Sequence, residues 1–243
     1  MVFSRRTLSG IAVFTALVAA ATMVFSVYVP ATRGFFNVGE IMVYTSALLM
    51  GPIVGGVAGG VGSMIADVAL GYYHFAPATL LIKGAEGFMV GYIFRKSISY
   101  FKNSWKVISA IMATAVGLLI GAIGANFYTG DVEISLGLPP VGYQTVFLSI
   151  PLIFWVAIAI LAFTSIVVTG IMVDSNVGWP VISVFSGGII MILGYYIYEI
   201  YLFGAGAALL EIPINIGQMI IGLIVAIPLT RSVSKLLKGR LQP

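Results

Sequence analysis

The sequence predicts an all-α, polytopic integral membrane protein, a bundle of about eight transmembrane helices, and three observations carry that prediction. Hydrophobic residues make up 60% of the chain and charged residues 8%, whereas a water-facing shell needs roughly threefold more charge. Mean hydropathy is +1.11. Apolar stretches of helical length recur from end to end, and Lys and Arg gather where those stretches stop. The net charge of +4 therefore reports orientation in a bilayer and not nucleic-acid binding. The chain has no cysteine, which excludes disulfides, thiolate metal sites and cysteine nucleophiles.

The first segment imitates a secretory or twin-arginine signal, with Arg5-Arg6 ahead of an apolar run and Ala19-Ala20-Ala21. Its apolar run continues from about Leu8 to Val29, long enough to span a bilayer, so a retained helix is expected. Further segments follow at 37–50, 52–71, 77–94, 107–128, 144–172, 180–203 and 211–230. Pro52, Pro77 and Pro180 are expected near helix starts, where a missing N–H costs least. Gly51-Pro52 decides the helix count. One helix over 37–71 would be about 50 Å long and would put Arg95, Lys96, Lys102 and Lys106 opposite Arg5 and Arg6. Splitting it makes eight helices with both termini cytoplasmic. Arg5, Arg6, Arg95, Lys96, Lys102, Lys106, Arg231, Lys235, Lys238 and Arg240 then share the inside, leaving Arg33 outside and Lys83 within a span. The polar stretch from Thr129 to Tyr143, with Asp131, Glu133 and Pro139-Pro140, is expected as a solvated external connection, with a substrate lid as the second reading.

Under this topology the costly polar groups share one side. Asn37, Glu40 and Tyr44 fall at i, i+3 and i+7 on the second segment. Asp67 lies near the outer end of the third, and Tyr72, Tyr73 and His74 form the following turn. Lys83 and Glu86 lie deeper on the fourth; Tyr195, Tyr198 and Glu199 sit on the seventh; Glu211, Asn215 and Gln218 stripe the eighth. Singly, such residues are interhelical glue, interfacial anchors or a self-neutralising pair. Their convergence points to a substrate pocket formed by Asn37, Glu40, Tyr44, Tyr73, His74, Lys83, Glu86, Tyr195, Glu199, Glu211, Asn215 and Gln218. The carboxylates outnumber Lys83, which favours a neutral or cationic ligand over a polyanion, and the tyrosines suit a flat heterocycle.

Small residues mark close helix contacts. Gly51, Gly55 and Gly59 repeat at spacing four, as do Gly56 and Gly60, and Ala12, Ala16 and Ala20 do the same on the first helix. Spacing alone assigns both stripes to internal packing. No phosphate-cradling Gly-x-x-x-x-Gly-Lys-Ser/Thr, His-Glu-x-x-His or Ser/His/Asp arrangement occurs, so no enzymatic activity, cofactor or metal is expected.

Several blocks carry a family resemblance. Asn37-Val-Gly-Glu40, Leu48-Leu-Met-Gly-Pro-Ile-Val-Gly55, Gly62-Ser-Met-Ile-Ala-Asp67 and Ala76-Pro-Ala-Thr-Leu-Leu-Ile-Lys-Gly-Ala-Glu-Gly87 are four of them. Gly194-Tyr-Tyr-Ile-Tyr-Glu199 and Glu211-Ile-Pro-Ile-Asn-Ile-Gly-Gln218 follow. Together they make the chain similar to the substrate-specific S component of energy-coupling-factor (ECF) transporters. The resemblance implies a prokaryotic cell-membrane subunit that captures a vitamin or related micronutrient outside. It then docks on a T component with two cytoplasmic ATPases and topples to release substrate inward. A thiamine-precursor pyrimidine, another B-vitamin or a modified base fits that class. The family's Ala-x-x-x-Ala docking motif maps onto Ala12, Ala16 and Ala20, shifting that stripe from packing to partner docking. The family has about six helices, so this chain reads as one membrane domain with a family-like core at about 8–94 and 180–230 and an inserted helical pair at about 107–172. The alternative function is a self-sufficient proton- or sodium-coupled transporter using Glu40, Asp67, Glu86, Glu199 and Glu211.

Overall fold

The computed structural model describes residues 4–29, 33–100, 105–138, 142–171 and 175–240. Lys102, Pro139 and Pro140 lie outside the described residues. Eight helices and four strands follow one another as α1 (Arg5–Val24), β1 (Ser26–Val29), β2 (Gly34–Asn37), α2 (Glu40–Met50), α3 (Pro52–Leu70), α4 (Ala76–Tyr100), α5 (Trp105–Phe127), β3 (Gly130–Leu138), β4 (Gly142–Ile150), α6 (Leu152–Ile171), α7 (Ser175–Phe203) and α8 (Ala205–Arg240). The helical bundle expected from composition is present. Among the described residues, 4 helices are long and apolar enough to cross a membrane: α1, α3, α7 from Gly178 and α8 to Leu236.

Local chemistry sets several boundaries. Ser4 caps α1, its hydroxyl accepting from the Thr7 N–H at 3.2 Å. Gly51 has φ +89, a backbone that side chains rarely adopt, and Pro52 opens α3 directly after it. The chain therefore breaks at Gly51-Pro52, as expected. Pro180 differs from expectation, standing inside α7, as do Pro213 and Pro228 inside α8. Neighbouring helices in a bundle can satisfy the backbone groups that such prolines free.

The connection expected at residues 129–143 is a structured element. β3 and β4 form an antiparallel hairpin running from Gly130 opposite Ile150 to Leu138 opposite Gly142. This hairpin joins β1 and β2 in one sheet of order β2-β1-β3-β4, with Val27 opposite Leu136 and Tyr28 opposite Ser135. The expected helical segment 144–172 is consequently two elements, β4 and α6. Asn37 also moves, from the expected second helix to the end of edge strand β2. α2 itself has 11 residues, about 16 Å of helix and half of a roughly 30 Å hydrocarbon layer.

Glycines bring α3 and α4 together. A Cβ on Gly55 would lie 2.7 Å from both the Ala47 Cα and the Gly87 carbonyl oxygen, and one on Gly59 would lie 2.9 Å from the Lys83 carbonyl. The glycine stripe read in the sequence thus packs internally, against α4 and α2. Similar contacts seat α1 on α3, where a Gly62 Cβ would meet Val18 and the Thr15 carbonyl, and α8 on α2, where a Gly222 Cβ would meet Glu40 and Tyr44 at 2.7 Å. Buried Val43, Tyr44, Phe185, Met191, Ile216, Met219 and Leu223 fill the centre.

Gly55→Leu is expected to lower stability by about 1–3 kcal/mol or more through overpacking. Gly206→Ala, where nothing lies within 4 Å of a Cβ, should leave the melting temperature in detergent nearly unchanged. Equal melting temperatures for both variants would refute the close α3–α4 contact.

Candidate functional site

At the sheet end of the bundle a cavity of about 430 Å³, open mouth included, lies between α1, β2, α3, α4, α7 and α8. Its polar lining comes from Thr22, Asn37, Ser63, Asp67, Thr79, Lys83, Glu199, Glu211, Asn215 and Gln218, and its aromatic lining from Phe35, Phe75 and Tyr195. These residues reach it because helical spacing puts Ser63 and Asp67, Thr79 and Lys83, and Glu211, Asn215 and Gln218 each along one face.

Lys83 is the one basic residue in the described lining. Its ammonium pairs with Glu40 from α2 and stands 3.2 Å from the Glu86 carboxylate on its own helix. The Tyr44 hydroxyl donates to the other Glu86 oxygen at 2.7 Å, and the ammonium lies 5.6 Å from the Tyr195 ring centroid. Glu40, Glu86, Tyr195 and Met191, whose Sδ lies 2.6 Å from the ammonium, thus surround the one cation. Glu40 and Glu86 are 1% and 0% exposed, a burial that carboxylates tolerate only when paired.

Above this cluster the groups are linked more openly. The Tyr195 hydroxyl donates to the Thr79 hydroxyl at 3.0 Å, and Thr79 is hydrogen-bonded in turn to Asp67, tying α7 to α4 and α3. Gln218 donates to the Asn215 side-chain oxygen at 2.9 Å and accepts from the Asn37 backbone N–H at 3.2 Å. Asn37 in turn accepts from the Gly39 N–H at 2.9 Å, so one polar chain connects α8, β2 and the start of α2. Glu199 and Glu211 are close enough to repel one another. Asp67 Oδ2 and Glu199 Oε2 are buried and have no hydrogen-bond partner among the described residues. Buried acceptors left in this way are rare in folded proteins and invite a donor from a bound molecule.

The expected site residues separate into three groups. Asn37, Lys83, Tyr195, Glu199, Glu211, Asn215 and Gln218 line the cavity. Glu40, Tyr44 and Glu86 lie beneath its wall and hold Lys83. Tyr73 and His74 lie outside the lining, Tyr73 being 68% exposed. The His74 ring leans on Phe75 at 4.7 Å between centroids. Partial burial, and then the Arg33 charge, lower its pKa from the ordinary value.

Sequence reasoning missed Thr22, Phe35, Ser63, Phe75 and Thr79 as wall residues and left Asp67 out of the pocket set. Ser63–Asp67 and Thr79–Lys83 carry a usable i, i+4 signal. Phe35 and Phe75 lie in a strand and a turn, where no helical spacing could reveal them.

The ECF-type riboflavin transporter S-component family model matches residues 2–173, more than half of the chain. An uncharacterized protein in the gap 3′ region of Pyrococcus woesei is 39% identical over 107 residues, covering 44% of this chain and 67% of that protein.

Lys83→Met should cost about 3–5 kcal/mol, because it strands two buried carboxylates. Adding Glu40→Gln and Glu86→Gln should restore most of the loss, and thermal unfolding in detergent reads both changes. A triple variant no more stable than Lys83→Met alone would contradict the mutual pairing.

Proposed function

We infer the cavity's role from one premise: the chain belongs to the ECF-type riboflavin transporter S-component family. It is thus a membrane protein whose family supplies the substrate-binding subunit of a transporter. We propose that the sheet-end cavity captures a vitamin-like heterocycle from outside the cell, with riboflavin the first candidate. The observation that carries this reading is the pairing of an aromatic lining with buried acceptors at Asp67 and Glu199 that have no hydrogen-bond partner among the described residues. Riboflavin is neutral and offers a planar ring to Phe35, Phe75 and Tyr195, while its hydroxyl and imide donors suit carboxylate and amide oxygens.

The basic residues support an orientation with this cavity outside and both termini in the cytoplasm. Energy would come from a T component and two ATPases, since this chain carries no phosphate-cradling motif. Ala12, Ala16 and Ala20 support partner docking, because all three are exposed on α1 while Val18, Ala19 and Thr22 face inward. A row of small exposed residues lets a second membrane helix approach closely.

Riboflavin titrated into the purified chain should lose fluorescence on binding. Asn215→Ala should weaken that binding about five- to 150-fold, the cost of unpairing a buried polar partner. Absence of quenching with folded wild-type protein would reject riboflavin as the ligand. Normal affinity in Asn215→Ala would remove this residue from the site.

Ala16→Leu should abolish co-purification with the T component and ATPases while riboflavin affinity stays at the wild-type value. Intact assembly would show that the alanine face is not the docking face.

A further inference from the structure

A second hollow lies at the other end of the bundle, away from the sheet. It encloses about 1140 Å³, open mouth included, between α2, α4, α7 and α8. Its apolar side comprises Leu48, Phe94 and Ile227; its polar side comprises Thr230, Arg231 and Lys235 on the last turns of α8. Arg231 and Lys235 are one helical turn apart and exposed, so their side chains flank the same opening. Among the described residues no carboxylate pairs with Arg231 or Lys235. The Thr230 hydroxyl oxygen is buried and has no hydrogen-bond partner among the described residues. Cations, a stranded hydroxyl and an apolar wall thus meet in one space that the described residues leave open.

We propose that this hollow is a binding site for an anionic phospholipid. The phosphodiester charge would meet Arg231 and Lys235, the Thr230 hydroxyl would donate to a phosphate oxygen, and the acyl chains would lie along Leu48, Phe94 and Ile227. Basic pockets between membrane helices bind acidic headgroups on this principle. A soluble phosphate would leave the apolar wall in water; a zwitterionic lipid would bring its own cation against the two basic residues. Charge and apolarity together select the anionic lipid.

Native mass spectrometry of delipidated protein in detergent tests the assignment without reference to membrane orientation or to the cavity at the sheet end. Phosphatidylglycerol should bind at least about tenfold more tightly than phosphatidylcholine with the same acyl chains. The double variant Arg231→Gln, Lys235→Gln should weaken phosphatidylglycerol binding roughly 10- to 30-fold and leave phosphatidylcholine unchanged. Thr230→Val, which keeps the side-chain shape, should weaken it about two- to tenfold. Equal binding of the two lipids, or wild-type selectivity in both variants, would overturn the proposal. Displacement of phosphatidylglycerol by equimolar inorganic phosphate would reassign the site to a soluble anion. Loss of T-component co-purification in the double variant with lipid selectivity intact would reassign this face to a protein partner.

Discussion

The buried Lys83 cation constrains the rest of the structure. An ammonium within an apolar bundle must be neutralised by groups that arrive with it, because neither water nor lipid can solvate it there. Glu86 is available on the same helix, three residues on, but Glu40 has to be delivered from α2. That delivery requires α2 to pack close to α4 and α8. Glycines make the approach possible at Gly55 and Gly59 on α3 and at Gly222 on α8, where any Cβ would collide with a neighbour. Small residues and a charged cluster are thus two halves of one arrangement, the first allowing the approach that the second needs.

This arrangement also determines what the cavity can offer. With Lys83 committed to Glu40 and Glu86, the wall carboxylates Asp67 and Glu199 have no ion-pair partner among the described residues. Asp67 Oδ2 and Glu199 Oε2 are acceptors without a donor among the described residues, and anionic ligands would meet repulsion. A ligand rich in hydroxyl or N–H donors gains most there, since each buried acceptor it satisfies removes a desolvation penalty of about 1–3 kcal/mol. Aromatic faces add area without demanding charge.

The parts of this design that were legible in the sequence are those with helical periodicity. Gly55/Gly59, Lys83/Glu86 and Glu211/Asn215/Gln218 repeat at three or four residues, and the structure places each set along a helix face. The sheet was hidden because hydrophobicity is high everywhere, which drowns the two-residue alternation of a strand. Val132-Glu133-Ile134-Ser135-Leu136 alternates apolar and polar, and Pro151 stands just before α6; both signals are weaker than the continuous apolar run around them. Missing the sheet meant reading Asn37 as helical, although its position at the end of β2 is what lets its backbone N–H reach Gln218. Tyr73 and His74 fall outside the lining for a related reason. Residues in a turn after Gly71, at φ +87, alternate between wall and surface without a period, so Phe75 faces the cavity and its neighbours do not.

α1 brings the two proposed activities into mechanical contact. Its exposed Ala20 is only two residues, about 3 Å of helix rise, from Thr22 in the cavity wall. Thr22 anchors its hydroxyl on the Val18 carbonyl at 2.8 Å, so it is carried rigidly by the helix. It also leaves no room for a side chain at Gly39, the residue that precedes Glu40. A partner seated on the alanine face cannot shift or tilt α1 without moving Thr22 against the β2–α2 junction. That junction holds both Asn37, in the polar chain to α8, and Glu40, the partner of Lys83. Docking and ligand retention would therefore be coupled through a single rigid helix, with no separate hinge required.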